Sequence, residues 1–371
     1  MKVAVVRDAK AMQEFIRFPS ELYAKDRLWV PQLRIDESKE YKADRNPVLA
    51  GSEHSFLTVR DGGKCVGRAI AYVDPGYNKF FDTRTGLFGA FECIRGDEAS
   101  ELLIGAIEEW HRARGMDQTL GPFNPVAESW GFLLKGDGKP PIFMTPHSKE
   151  YYLTQFEREG YCKAKDLLAY DANADGIYEI PRRIERFVMH LQKRKPELTV
   201  RPISRSSLLT DAEHIWRLSN LAIAGNWGYV PVEGEVMLDM VRRLKPVMDP
   251  DAIWFVEDGG VPVGFCLGFP DVNRAIKMIR GRLFPFGFAP LLTVKRWVKD
   301  YRLFGLAVHP DYHGMGLDVL LYAQLNAALK PRGIRLEANY VLEDNYRIRN
   351  ALDKLGMRLI RSYRIFRKEL M

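Results

Sequence analysis

The 371-residue chain is 46% hydrophobic and 28% charged, ordinary for a globular protein and long enough for two domains with full cores. No run of 18 apolar residues occurs, which argues against a spanning helix, and the four cysteines (Cys65, Cys93, Cys162, Cys266) form no CxxC pair or Cys/His cluster. That usage argues against a structural zinc site and for reduced core thiols in a cytoplasmic protein.

The opening MKVAVVRDAKAMQEF has no long apolar run and is not expected to be a signal peptide. FLTVRDGGKCVG (56–67) reads as a strand, a DGG hairpin turn and a second strand. LFGAFECI (87–94) is a further strand, and the helix after it closes at the glycine of RARGM (112–116). An inserted loop, GPFNPVAESWGFLLKGDGKPPIFMTP (121–146), precedes FEREGYCKAKDLLAY (156–170), a short helix that stops at Gly160 and a strand. Beyond DANADGIYEIP (171–181) the same order recurs, with IWFVEDGGVPVG (253–264), LFGLAVHP (303–310), KPRGI (330–334) and LDKLGMRLIRSYRIF (352–366) matching the four earlier segments. Four matches in one order describe a duplicated α/β unit, giving expected domains 1–175 and 176–371.

The halves differ where they carry chemistry. In the second, VHPDYHGMGLD (308–318) joins a strand to the apolar helix VLLYAQLNAAL, and a glycine-bearing turn at a helix start can cradle phosphate with backbone N–H groups. The first half has ECIRGDEASE (92–101) there, with one glycine and added acids, so no phosphate ligand is expected in it. The second half also holds residues 274–302, with eight Lys or Arg and one acid, Asp300, so that this segment accounts for the whole net charge of +7. Basic residues interleaved with Phe284, Phe286, Phe288, Leu291, Leu292 and Trp297 fit an amphipathic element on an anionic membrane surface. The apolar LFPFGFAPLL makes nucleic acid an unexpected partner.

The turn at 308–318 resembles the GNAT superfamily of acyl-CoA N-acyltransferases, whose signature is Arg or Gln, two residues, Gly, one residue, then Gly or Ala. His313, Gly316 and Asp318 take the signature positions, and Gly314 matches a common extra glycine. The resemblance implies that the backbone of His313, Gly314, Met315, Gly316, Leu317 and Asp318 holds the CoA pyrophosphate. The strand at Leu306, Ala307 and Val308 would pair with the pantetheine arm. LEDNYRIRNALDKLGM (342–357) resembles the later superfamily motif, with Asn345 as its asparagine and Gly356 as its glycine, while its tyrosine falls on Leu352. WVPQLRIDE (29–37), NWGYVP (226–231), GRLFPFGF (281–288), VLEDN (341–345) and YRIF (363–366) further resemble a bacterial family of tandem GNAT N-acyltransferases. That family is similar to bacterial ceramide synthases, which acylate the amine of a long-chain sphingoid base.

The resemblance implies two tandem GNAT-like α/β domains, each a mixed, mostly antiparallel sheet flanked by helices. Acyl-CoA is the expected co-substrate of the second domain, and no metal is expected, because an activated thioester needs no Lewis acid. Attack on a thioester needs a neutral amine and a proton acceptor, so an acid–base pair is sought near Asn345; Glu343 and Tyr346 bracket it and lead as catalytic residues. Glu337, Asp344, His309 and His54 are further candidate bases, and Tyr340 and Tyr322 further candidate acids. Asn226, Trp227 and Tyr229 are the expected acceptor contacts, with Asn124, Glu128 and Trp130 as first-half candidates for the same cleft. The expected function is acyl-CoA-dependent N-acyltransfer to a long-chain lipid amine such as a sphingoid base. The protein is expected in the cytoplasm, peripherally on the inner membrane face. A tandem GNAT-fold aminoacyl-tRNA-dependent transferase and a non-catalytic acyl-CoA-binding protein are the alternatives.

Overall fold

A computed structural model describes residues 1–370 except 126–128, 175, 177, 232–233 and 284–286; Glu128, Phe284 and Phe286 therefore lie outside the described residues. The first half runs β1 (Lys2–Val5), α1 (Ala9–Leu22), α2 (Arg34–Glu40), α3 (Pro47–Ala50), β2 (Glu53–Asp61), β3 (Lys64–Val73), α4 (Pro75–Phe81), β4 (Thr85–Cys93), α5 (Asp97–Arg112), β5 (Gln118–Gly121), β6 (Phe132–Lys135), α6 (Tyr151–Arg158) and β7 (Cys162–Asp171). The second runs α7 (Arg182–Arg194), β8 (Leu198–Pro202), α8 (Leu208–Ala222), α9 (Gly234–Leu244), β9 (Ile253–Asp258), β10 (Val261–Pro270), α10 (Asn273–Met278), α11 (Phe288–Trp297), β11 (Asp300–Val308), α12 (Leu317–Leu329), β12 (Arg335–Leu342), α13 (Tyr346–Lys354) and β13 (Arg358–Glu369).

Contacts group the chain into two compact units. The first holds residues 1–167, 276–287 and the C-terminal segment from Arg361; the second holds 168–275 and 288–360. In the first unit β1 to β4 form an antiparallel meander, β5 pairs parallel with β4, and β13 pairs antiparallel with β5 and β6. The second unit repeats this with β8 to β11 antiparallel and β12 parallel to β11, followed by the end of β7, where Ala172 N–H donates to Leu336 O (2.9 Å). Each unit thus takes its last strand from the other half of the sequence.

Both DGG segments fold as expected. Gly62 and Gly63 (φ 52° and 85°) and Gly259 and Gly260 (φ 56° and 85°) form two-residue loops in which both positions need positive φ, the geometry that matches strand twist. In the second unit two cores sandwich the sheet. Leu317, Leu320, Leu321, Leu325 and Leu329 of α12 fill one with Leu303, Ala338 and Leu352. Ile215 and Leu218 of α8 fill the other with Phe255, Phe265 and Ala307. The first unit buries Leu103, Ile104 and Ile107 of α5 against Phe88, Phe91, Phe132 and Phe156.

Two expectations need adjustment. Cys93 and Cys266 are buried thiols, but Cys65 is half-buried and Cys162 exposed, because the first residues of β7 lie at the surface. The basic segment is not one amphipathic element: it comprises α10, a connecting stretch, α11 and the start of β11. Part of its charge is engaged within the fold: Arg274 pairs with Asp300 (2.7 Å), and Lys295 Nζ donates to Met248 O (2.9 Å).

Candidate active site

In the second unit β11 and β12 pair only from Asp300–Arg335 to Leu303–Ala338. Beyond that point β11 continues to Val308 and β12 to Leu342 without further pairing to each other, so the parallel pair opens into a wedge. Phe304 sits as an extra residue opposite the Leu267/Gly268 step of β10, a bulge placed where the wedge begins. Leu306 and Val308 pack toward the α12 core and Ala307 toward the α8 core. Their side chains are therefore structural, and it is the backbone edge of β11 that faces the wedge.

The turn after β11 is tightly held. His309 N–H donates to Val263 O (2.8 Å), and Tyr312 Oη donates to Asp258 Oδ2 (2.7 Å). His313 Nε2 lies 2.9 Å from Val308 O, so this ring closes the strand end. Gly314 and Gly316 adopt φ 83° and 82°, values that L side chains rarely take. Helix α12 starts at Leu317, with Leu320 N–H bonded to Gly316 O (3.0 Å). Among the described residues, no acceptor is found for the N–H groups of Gly314, Gly316, Leu317, Asp318 and Val319. Five donors on one turn and the positive end of a helix dipole are an arrangement that can receive an anion. Asp318 stands one residue inside the helix, where an acid is favoured by the dipole. Its carboxylate acts on Tyr322, one turn on; burial first, and Asp318 second, raise that hydroxyl's pKa well above the ordinary range.

At the root of the wedge, Leu303, Leu336 and Ala338 pack toward the α12 core, so strand alternation puts Arg302, Glu337 and Asn339 on the α8 face. Arg302 is 2% exposed, with its guanidinium over the rings of Phe304 (4.9 Å) and Tyr340 (5.0 Å). Asn339 is also buried; its Nδ2 donates to Glu337 Oε1 (2.7 Å), and its Oδ1 has no partner among the described residues. Sequence reasoning overlooked Arg302 and Asn339. The available signal was a basic residue inside an otherwise apolar strand, but membership of the basic segment made it read as surface charge.

The other expected residues are more dispersed. Asn345 caps α13, accepting from Ile348 N–H (3.2 Å), the ordinary role of an asparagine in that place. Tyr346 is 67% exposed, and Glu343 O accepts from the Arg349 guanidinium. Asp344 O accepts from Tyr346 N–H (2.9 Å) as part of the same turn. Leu352 is fully buried in the α12 core. Asn226, Trp227 and Tyr229 share the half-buried loop after α8, where Tyr229 Oη donates to Asn220 Oδ1 (2.7 Å). The α8 core below includes Phe304, so this loop belongs to the face bearing Arg302 and Glu337. His309 Nδ1 accepts from Asp311 N–H (3.3 Å) in its turn. His54 Nδ1 lies 3.0 Å from Ser52 O in the first unit.

The first unit has the same wedge, from the parallel β4/β5 pair, but its own chain fills it. Phe123 N–H donates to Phe88 O (2.7 Å), and Asn124 Oδ1 accepts from Ala90 N–H (2.6 Å). A Cβ on Gly89 would lie 2.2 Å from Phe123 O, so glycine is required by that close approach. Trp130 packs on Phe123 (5.1 Å), and Asn124 and Trp130 thereby serve the first unit's own structure. At the start of α5, Asp97 pairs with Arg158 (2.6 Å) and Glu98 with the N-terminal ammonium (3.0 Å). Two acids thus stand in the first turn of α5, each held by a cation of the first unit.

Among the described residues no group of acidic, His or Cys side chains could hold a metal, and no helix is long and apolar enough to cross a membrane. Residues 230–357 match the model of the Acetyltransferase (GNAT) family. Protein YghO of Escherichia coli is 30% identical over 370 residues, covering 97% of this chain and 93% of that protein. A bacterial ceramide synthase of Caulobacter vibrioides is 29% identical, covering 100% of this chain and 98% of the other. Among solved structures, a tandem GNAT protein from the clavulanic acid biosynthesis pathway superposes with a TM-score of 0.58 at 12% identity, covering 100% and 98% of the two chains. At that identity the match speaks to the fold.

Proposed function

The chain belongs to the tandem GNAT N-acyltransferase family, and from that premise we propose that its second unit binds acyl-CoA at the α12 turn and transfers the acyl group to a long-chain lipid amine. The observation that carries the reading is the run of five unpartnered N–H groups from Gly314 to Val319, beside the open edge of β11. Acyl-CoA is the family's co-substrate. A pyrophosphate suits the turn, and an extended amide-bearing arm suits an unpaired strand edge. The lipid acceptor is supported by the ceramide synthase likeness. It is also supported by α11, where Phe288 and Leu292 stand exposed one turn apart (47% and 65%) with Arg296 exposed in the last turn. Such a face suits contact with an anionic bilayer that supplies the substrate.

In the reaction the amine nitrogen attacks the thioester carbonyl carbon, the C–S bond breaks, and the thiolate leaves with a proton taken ultimately from nitrogen. The carboxylate best placed on the acceptor face is Glu337, oriented by Asn339. We assign it the proton-accepting role ahead of Glu343, whose carbonyl is engaged by Arg349 in the turn before α13, and of Tyr346, which is 67% exposed. Arg302 holds the wedge root through its ring contacts on both strands.

Calorimetry with acetyl-CoA and palmitoyl-CoA, followed by turnover with a sphingoid base and with short amines, tests the reading. Tighter palmitoyl-CoA binding with long-chain amine turnover is expected. Equal binding with turnover of short amines alone would overturn the lipid acceptor, and binding of neither thioester would overturn the site.

A further inference from the structure

The exposed helix α7 lies outside the stretch that matches the family model, and it has no counterpart in the matched repeats. Ile184, Val188 and Leu191 form its inner stripe, packing on the α12 core. Phe187 is set to one side of that stripe. A Cβ on Gly316 would fall 2.4 Å from its ring, so the ring lies directly on the glycine turn and fixes which flank of α7 borders it. By the 3.6-residue period, Arg183, His190 and Arg194 share the Phe187 flank, with Arg186 between it and solvent, while Glu185, the helix's one acid, falls on the other side. Arg183 Nη2 donates to Lys354 O (3.0 Å). Among the described residues Arg186, His190 and Arg194 have no acidic partner, and all three are exposed. Two arginines without acidic partners, Arg194 on this flank and Arg186 at its solvent side, raise the local potential for a polyanion beside the glycine turn, with His190 as a further donor between them.

We propose that α7 is an added wall of the acyl-CoA site, reading the 3′-phosphate on the adenosine end of the ligand through Arg186, His190 and Arg194. The inference rests on the pyrophosphate lying at the α12 turn. His190 and Arg194 stand about one and two helical turns from Phe187, roughly 5 and 10 Å along the axis. One ribose separates the 3′-phosphate from the pyrophosphate, so that group reaches the flank while the five N–H donors keep the pyrophosphate. The turn binds any pyrophosphate; the helix selects the ligand that carries a third phosphate.

The test compares CoA with 3′-dephospho-CoA by calorimetry, on the full chain and on the triple variant Arg186→Gln, His190→Gln, Arg194→Gln. All three positions are on the surface, and an unchanged Tm verifies the fold. The native chain should bind CoA at least about tenfold more tightly than 3′-dephospho-CoA. The variant should lose that preference by weakening for CoA alone. Equal affinity in the native chain, or a preference that survives in the variant, overturns the proposal and leaves the turn assignment standing. Failure of the native chain to bind either ligand overturns the turn assignment and the inference with it.

Discussion

At the scale of single residues, the two glycines of the turn have different reasons to be glycine, and they separate ligand binding from folding. A side chain at Gly316 would have to displace the Phe187 ring as well as adopt a positive φ, so its variants disturb the α7–α12 contact whether or not a ligand binds. A Cβ on Gly314 meets nothing within 4 Å, and only the backbone conformation constrains it. Asn and Asp both tolerate this left-handed region better than other residues, and they differ in charge. Gly314→Asp should therefore weaken CoA at least about tenfold more than Gly314→Asn, with equal Tm values, if the donors bind a pyrophosphate. Equal affinities in the two variants would show that no anion approaches the turn.

A second residue-scale prediction concerns Glu92 of the first unit. Its Oε2 accepts from Tyr23 Oη and Tyr152 Oη (both 2.8 Å), with Arg68 and Lys149 as nearby cations and Tyr151 also acting on it. Burial raises its pKa to about 7 against these favourable partners. A carboxyl raised in the folded state is protonated there before it is in the unfolded chain. Its stabilising contribution is present below its ordinary pKa and is lost as pH rises toward 7. Glu92→Gln should remove that slope, gaining on the native chain between pH 5 and pH 8 by an upper bound of roughly 3 kcal/mol. Denaturant melts at the two pH values measure the difference, and a gap that does not change with pH would contradict the assignment.

At the scale of elements, α13 shows where local reading succeeds and where it stops. Asn345 is legible as a helix cap, and Gly356 (φ 80°) as the stop, because both follow from backbone geometry a few residues long. The burial of Leu352 against α12 depends on how two distant elements pack, which the pattern around it does not record. The family tyrosine at this position suggests that Leu352→Tyr would restore an acid. The site is a fully buried apolar one, so the phenol would overfill it and bring in a hydroxyl without a partner. The variant should be destabilised by about 2 kcal/mol without gaining acyl-transfer rate. Thermal melts run beside a thiol-release assay check this, and a faster, equally stable variant would mean that α13 faces the thioester. The same distinction explains the wedge. Strand β11 and its glycine turn could be read directly, whereas filling of the first unit's wedge by Phe123 and Asn124 depends on contacts more than 30 residues away.

At the scale of the whole molecule, the internal repeat was readable because hairpin glycines and helix-ending glycines recur in order. Which strand completes which sheet was not, since strand pattern sets the buried face and leaves the partner open. The first unit takes residues 361–369, with Phe366 opposite Gly121 and Lys368 Nζ bonded to Glu108 Oε1 (2.7 Å); Arg364 meets both Asp166 oxygens at 2.9 and 3.0 Å. The second takes the chain from Leu168, where Ala172 bonds to Leu336. A cut at 175/176, which the repeat suggests as a domain boundary, therefore strips each sheet of its closing strand. It would expose the edge of β5 and uncover Phe156, whose ring stacks on Phe366 (5.7 Å). Residues 1–175 made alone should lack a cooperative thermal transition and aggregate, as should 176–371, while the two fragments produced together should give a soluble complex. Removing only 361–371 from the full chain should lower the first unit's melting transition and leave α12 protected in hydrogen exchange. A monomeric, cooperatively folding 1–175 fragment would show that the shared strands are dispensable, and the units could then be treated as independent domains.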